Sequence, residues 1–192
     1  FGGTDDKGNE IDGAIKRGVP RDIAMKIFDD VAGFAGYAFN KSHAACYAVV
    51  GYWTAYIKHY YPVEFMTATL NSFRTELVKA SSYITASEQM GIHVLRPDIN
   101  RSFARFTTEK TDDGKTGIRI GLTVIKGVGE GQVRQIEEDR AEHGAYKTFE
   151  EFLVRGSELG IKRNTVEYLI WSSALDGFGY NRATMVRTCQ TE

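Results

Sequence analysis

The stretch Ile125-Lys126-Gly127-Val128-Gly129-Glu130-Gly131-Gln132-Val133 sets three glycines within five residues. It constrains the local chain more tightly than any other segment. Glycine loses more conformational freedom on folding than any other residue, so such a run implies a tight turn or a close approach to the backbone. Two nucleotide loops are disfavoured by spacing. A dinucleotide fingerprint needs G-x-G-x-x-G after a buried strand, whereas this stretch reads G-x-G-x-G with no buried parallel strand before it. A P-loop places Lys and Ser or Thr after its glycines, whereas Lys126 precedes them. The pattern fits a short helix ending at Ile125, a hairpin at Gly127-Val128-Gly129, and a second helix anchored by Val133 and Ile136. Amides at the start of that second helix can donate to a phosphate oxygen. Lys126, Gly127, Val128, Gly129 and Gly131 are therefore candidate phosphate contacts that position a nucleic acid without reading its bases.

A related corner follows at Asp176-Gly177-Phe178-Gly179-Tyr180-Asn181-Arg182. Here a helix end meets a turn and a new helix, which makes Gly179, Asn181 and Arg182 further candidates. Lys162, Arg163, Arg182 and Arg187 outnumber Glu167 and Asp176 around it. Both stretches resemble the helix-hairpin-helix motif of DNA-handling proteins, and a pair would suit two phosphates flanking a duplex minor groove. The plainer alternative is a pair of helical corners capped by glycine, with solvated charges.

Composition limits these readings. The 192 residues are 42% hydrophobic and carry a formal net charge of -1. That supports a packed core and argues against strong autonomous nucleic-acid binding, which is usually served by a clearly basic chain. Two cysteines, Cys46 and Cys189, form neither a zinc pattern nor a disulfide framework, and a reducing, cytoplasmic setting is expected. The chain opens at Phe1 with no charged-then-apolar leader, and is expected to be a piece of something longer. The most apolar run, residues 44–57, is shorter than the roughly 18–20 residues of a membrane span, and predicts a buried helix.

Along the chain, the glycine-rich and charged opening reads as loop. Pro20 is placed as the first residue of a helix that Gly33 ends, with Ile23, Ile27, Phe28 and Val31 at helical spacing. A second helix is predicted over 43–60, capped by Asn40 or Ser42. Another starts at Pro62, and a third over 75–90 closes at Gly91. Together these three form a compact helical unit. An extended run broken by Pro97 precedes a β-hairpin whose turn is Asp113-Gly114. Helical segments resume from Gly129 to about 143, from a capping box at Thr148 to Glu151, and from a second one at Asn164 to Glu167. The last of these ends near Asp176-Gly177, and one further helix opens at Asn181-Arg182. The fold class is mainly α, divided into residues 1–95 and 96–192.

Phe39-Asn40-Lys41-Ser42-His43-Ala44-Ala45-Cys46-Tyr47 sets a cation, an imidazole and an aromatic ring at a helix start. His43 and Tyr47, four apart, share a face. Such groups at a positive helix terminus could meet a triphosphate and a base, although a structural histidine is the commoner use. The block from Phe34 to Ser72 resembles the fingers of the alpha subunits of bacterial DNA polymerase III, the C-family replicative polymerases. The resemblance continues in order through MGIHVLRPDINRSFARFT, GIRIGLTVIKGVGEGQV and YLIWSSALDGFGYNRATM.

The resemblance implies that residues 1–95 are the end of the fingers and 96–192 a tandem helix-hairpin-helix domain gripping duplex DNA. It implies that Lys41, His43 and Tyr47 face the incoming dNTP. It implies partners in primer-template duplex, dNTP, and a sliding clamp and other replisome subunits engaged through regions outside this sequence. Polymerases of this type use carboxylates to hold two metal ions. The family's palm carries an Asp-x-Asp pair, and none occurs here. Mg2+ is accordingly expected at the palm of the intact enzyme, no cofactor and no metal ligand in this sequence, and no catalytic activity from it alone. The competing readings are a non-enzymatic helix-hairpin-helix module of a repair or recombination protein, and a protein-interaction scaffold.

Overall fold

The structure is a computed structural model that describes residues 2–4, 6–35 and 41–191. The fold is mainly α with two small sheets. Packing divides it into two compact units, residues 1–56 and 57–192. This packing boundary differs from the division at residues 95 and 96 suggested by the change in sequence character. No described helix is long and apolar enough to cross a membrane.

In the first unit, β1 (Gly3–Thr4) pairs antiparallel with β2 (Glu10–Ile11). Helix α1 (Arg21–Ala35) begins one residue after Pro20, whose carbonyl accepts the amide of Ala24 at 2.9 Å. It runs through Gly33 rather than ending there, since one glycine with ordinary φ weakens a helix without breaking it. Helix α2 (Lys41–Tyr60) continues across the packing boundary. Ser42 lies inside it and not at its cap, and Asn40 falls outside the described residues.

The expectation of a buried helix over 44–57 is overturned. No residue of α2 is buried, and Tyr47, Tyr52 and Trp53 are each at least 60% exposed. The apolar spacing of α1 does form a helix, but Ile23, Ile27, Phe28 and Val31 are exposed as well. Hydrophobic sequence selects residues able to be buried. It does not supply the surface that buries them.

The second unit begins with a helix pair on a sheet. Helix α3 (Pro62–Ser72) starts with proline at N1, where no amide is needed. Helix α4 (Leu77–Gln89) stops before Gly91, whose φ of +77° carries the chain out. Strands β4 (Thr107–Lys110) and β5 (Thr116–Arg119) form the expected antiparallel hairpin. The short strand β3 (Val94–Leu95) adds in parallel on the other edge of β5, giving the order β3-β5-β4. Met66 and Leu70 of α3 share one core with Ile92, Phe106 and Ile118. Of the three helices expected to form one compact unit, α3 and α4 both line this core, Tyr83, Ile84 and Ala86 of α4 packing against it, and no residue of α2 is buried. Asn71 fastens α3 to this layer: its Nδ2 donates to the Phe106 carbonyl, and its Oδ1 accepts the Phe106 amide, each at 2.9 Å. Buried Arg119 donates to both Glu109 carboxylate oxygens and to the Arg96 carbonyl. The guanidinium holds the Glu109 carboxyl below its ordinary range, against the weaker effect of burial.

Helices α5 (Glu130–His143), α6 (Phe149–Glu158), α7 (Arg163–Trp171) and α8 (Arg182–Thr191) complete the unit. Their core joins Leu122, Val133, Ile136, Phe149, Phe152, Leu169, Ile170, Leu175 and Met185. The Thr148 cap forms as expected, its Oγ1 accepting the Glu151 amide at 3.1 Å. The reciprocal bond of the box shifts by one residue, because Glu151 accepts from the Lys147 amide instead. Asn164 is not the cap of α7. The helix starts at Arg163, which pairs with Glu167 at 3.0 Å, and the Asn164 side chain turns onto the next amide. Helix α7 also stops at Trp171, short of Asp176. Ser173 adopts φ +76°, and the Ala174 amide returns to the Leu169 carbonyl at 3.0 Å, closing the helix end.

Arg155 is the hub that fastens α6 to the end of α5. It donates to Asp139 Oδ2 from Nε at 3.0 Å and Nη2 at 2.6 Å, to the Gly144 carbonyl and to Glu151, and its guanidinium lies 4.1 Å from the centre of the Tyr146 ring. Burial pushes the Asp139 carboxyl up. Tyr146, Arg155 and His143 together outweigh that effect and hold it below its ordinary range.

Candidate nucleic-acid interface

The first glycine corner has the geometry its sequence foretold. A 3-10 turn at Leu122–Val124 ends at Ile125. The Val128 amide closes the hairpin on the Ile125 carbonyl at 3.1 Å, and Gly129 is the extended N-cap of α5. Val128 is buried and pins the turn to the core, while Lys126, Gly127, Gly129 and Gly131 are exposed. Gln132 Oε1 accepts the Gly129 amide at 3.1 Å, so a side chain from the third helical residue completes the cap. First-turn amides of a helix have no intrahelical acceptor, which leaves those of Glu130, Gly131 and Gln132 as donors at the positive end of the helix dipole.

The three glycines do different work. A Cβ at Gly127 would come within 2.5 Å of Tyr168 Cδ2, and its φ is +82°. Gly127 is therefore required by the turn and by its contact with α7. A Cβ at Gly131 meets nothing within 4 Å, and one at Gly129 meets only Gln132 Oε1, at 3.8 Å. These two leave the backbone at the start of α5 open to an approaching group. Exposed Lys126 adds a positive charge before the turn, and Glu130 a negative one at the head of the helix.

In the second corner, Asp176–Phe178 forms a 3-10 turn and Gly179 takes the left-handed conformation at φ +77°. The Asn181 carboxamide oxygen accepts the Ala183 amide at 2.8 Å and so occupies the cap of α8. Arg182 does not point outward alone. Its Nε donates to Asp176 Oδ1 and its Nη2 to Ser173 Oγ, both at 2.8 Å, and Nη2 also meets Asp176 Oδ2. The Arg182 guanidinium holds the Asp176 carboxyl below its ordinary range. Arg182 thus ties the end of α7 to the start of α8.

The two corners belong to one packed body. Leu122, Val128 and Val133 from the first share a core with Leu169, Ala174, Leu175 and Met185 around the second. Gln132, Thr165 and Tyr168, which touch the first hairpin, escaped the sequence reading. Gln132 carried a signal, standing three residues after the cap. Thr165 and Tyr168 carried none, because their contacts arise only when α7 is laid across the turn.

In the first unit, the His43 and Tyr47 rings meet with centroids 4.4 Å apart. Lys41, also exposed, opens the helix. At 3.6 residues per turn, Lys41 lies on a different side of the helix from the His43–Tyr47 pair. The structure therefore brings two of these three residues together. Among the described residues, no group of three or more His, Cys, Asp or Glu is placed to hold a metal ion.

The helix-hairpin-helix motif family matches residues 91–185. The DNA polymerase III subunit alpha of Thermus aquaticus is 41% identical over 94% of this chain and 14% of its own length. Those of Deinococcus radiodurans and Vibrio cholerae are each 42% identical, over 87% and 91% of the chain. The chain spans only 12% to 15% of these relatives' lengths. An identity near 40% sustained across both units, with the helix-hairpin-helix geometry in the second, places this chain in the DNA polymerase III alpha-subunit family.

Proposed function

We propose that this chain serves bacterial chromosome replication as part of a DNA-directed DNA polymerase. Its two glycine corners would hold the sugar-phosphate backbone of duplex primer-template without sequence preference. The observation that carries this reading is the head of α5, where the Cβ position of Gly131 is open space and that of Gly129 meets only Gln132 Oε1, at 3.8 Å. Amides of this kind match phosphate oxygens, and a glycine-lined approach lets the backbone come close. Helix α7 lies between the corners: Thr165 and Tyr168 touch the first at Gly127, and the second follows the helix end beyond Ser173.

On the same proposal, residues 1–95 belong to the fingers and 96–192 to the duplex-binding domain. His43 and Tyr47 face an incoming dNTP, and Lys41 reaches its phosphates from the head of α2. The palm carboxylates with their Mg2+, and the clamp-binding segment, lie in other parts of the polymerase, so this chain alone supplies positioning and no chemistry. A cytoplasmic setting accords with the two thiols and the replicative role. A repair or recombination module would need only the second unit, and the family-like first unit favours the polymerase.

The test is duplex binding by the whole chain at a series of salt concentrations, on two unrelated sequences. Equal affinities are expected, falling with salt. Lys126→Ala should flatten the logarithmic salt dependence by about 0.9, the value for one phosphate contact on B-form DNA. A strong preference for one sequence, or binding indifferent to salt, would contradict the proposal.

A further inference from the structure

We infer that α7 is a strut that presents the two corners as one fixed pair, with Thr165 and Tyr168 as positioning residues for the first hairpin. The inference rests on the duplex-binding reading above and adds how that surface is held. The Tyr168 ring lies directly beneath Gly127, so close that no side chain fits between them. Thr165 is 3% exposed. Its hydroxyl donates to the Gly127 carbonyl at 3.5 Å and accepts from Gln132 Nε2 at 3.4 Å. These are long bonds, but Gln132 extends the link by accepting the Gly129 amide at 3.1 Å. Both outer glycines of the hairpin are thus tied to α7, one directly and one through Gln132.

The other end of α7 is fixed just as locally. The closing bond from Ala174 to Leu169 and the Arg182 bridge to Ser173 and Asp176 hold the second corner against the helix end. One short helix therefore determines the spacing of two phosphate-facing turns. Two weak sites at fixed spacing bind a matching ligand far more tightly than either alone, because the second contact is intramolecular. For a chain of net charge -1 this is a physical route to useful affinity without a strongly basic surface. Loosening the strut should cost affinity while every phosphate-contacting group stays in place.

The test compares Thr165→Val, which keeps the shape and removes the hydroxyl, with Thr165→Ser, which keeps the hydroxyl. Duplex affinity and thermal stability are measured for each in the whole chain. The Val variant should bind roughly 5- to 10-fold more weakly while still folded, and the Ser variant should recover most of the loss. Adding Thr165→Val to Gly131→Leu, which obstructs the first corner, should then cost little more, because Thr165 acts through that corner. Fully additive losses would overturn the inference, as would a Val variant that loses stability but binds normally below its melting point. If Gly131→Leu weakens binding and Thr165→Val does not, the strut fails and the duplex reading stands. If Gly131→Leu has no effect, both fall.

Discussion

Replacing Gly131 with leucine separates access to the backbone from folding. Gly131 is the second residue of α5, exposed, with open space where a Cβ would stand. Within a helix, glycine is roughly 0.8–1.0 kcal/mol less favourable than alanine, and leucine is close to alanine. At the first turn only part of that difference applies, so the variant should gain about 0.5 kcal/mol. For a domain of this size the gain corresponds to roughly 1–2 °C in Tm. Binding should move the opposite way. A hydrogen bond to a charged oxygen contributes about 1.5–3 kcal/mol, so losing one amide–phosphate contact weakens binding roughly 10- to 150-fold. The amide is neutral and displaces no counterion, so the salt dependence should keep its slope while the whole line drops. This distinguishes the variant from Lys126→Ala, which should change the slope. Fluorescence anisotropy on a labelled duplex reads the affinity, and circular dichroism reads Tm. A Gly131→Leu protein that is as stable as the parent and binds duplex equally well would refute the role assigned to these amides.

Gly127→Ala should behave differently, since it forces an L side chain to φ +82° and drives a methyl into Tyr168. Strain of this kind costs about 2–3 kcal/mol, and calorimetry should show Tm lower by roughly 5–10 °C. A Tm unchanged from the parent would count against the packing described. Acid should destabilise the second unit through Glu109, Asp139 and Asp176, whose carboxyls lie below their ordinary values of 4.5, 3.8 and 3.8 in the folded chain. Depressed carboxyls contribute stability that is complete above those ordinary values and disappears as pH falls through the lower folded ones. Denaturant unfolding should therefore be flat near neutrality and weaken below about pH 4.5, with a shallower decline in Asp139→Asn. An equal decline in that variant would remove Asp139 from the account. In the first unit, a deoxynucleoside triphosphate should shift the His43 and Tyr47 ring resonances together, and Lys41→Ala should weaken the effect several-fold. Ring signals that stay fixed at saturating nucleotide would argue against a nucleotide-facing pair.

Local chemistry made much of this molecule readable. Pro62, Gly91, the Asp113-Gly114 turn, the Thr148 cap and the Gly129 cap are short-range signals, and each stands within a residue or two of its expected place. The glycine corner was legible because φ and capping are decided by neighbours in sequence. Four features were not. The exposure of α2 depends on surfaces its own sequence cannot reveal. The extended run at β3 was legible, but its parallel pairing, two residues long, has meaning only beside β5. The ion pair of Arg182 with Asp176 and the contact of Tyr168 with Gly127 join positions whose approach depends on how α7 ends and where it lies. Charge counting foresaw a basic patch near the second corner. The structure spends one of those charges on holding the corner's own shape.

The junction between sheet and hairpin has a mechanical consequence. Only Ile120 and Gly121 separate β5 from the 3-10 turn that enters the first glycine corner. A Cβ at Gly121 would lie 2.4 Å from the Arg105 carbonyl carbon and 2.6 Å from the Ala104 oxygen. Thr123 and Leu122 bond back to the same loop through the Ala104 and Phe103 carbonyls. The link is seated against backbone with no slack, so it transmits displacement and cannot absorb it. A load applied to the first glycine corner would pass directly into the β-sheet and into the helix α3 stapled to it by Asn71. Within this unit the glycine corner and the helix pair behind the sheet form a lever with no joint at residues 120–123.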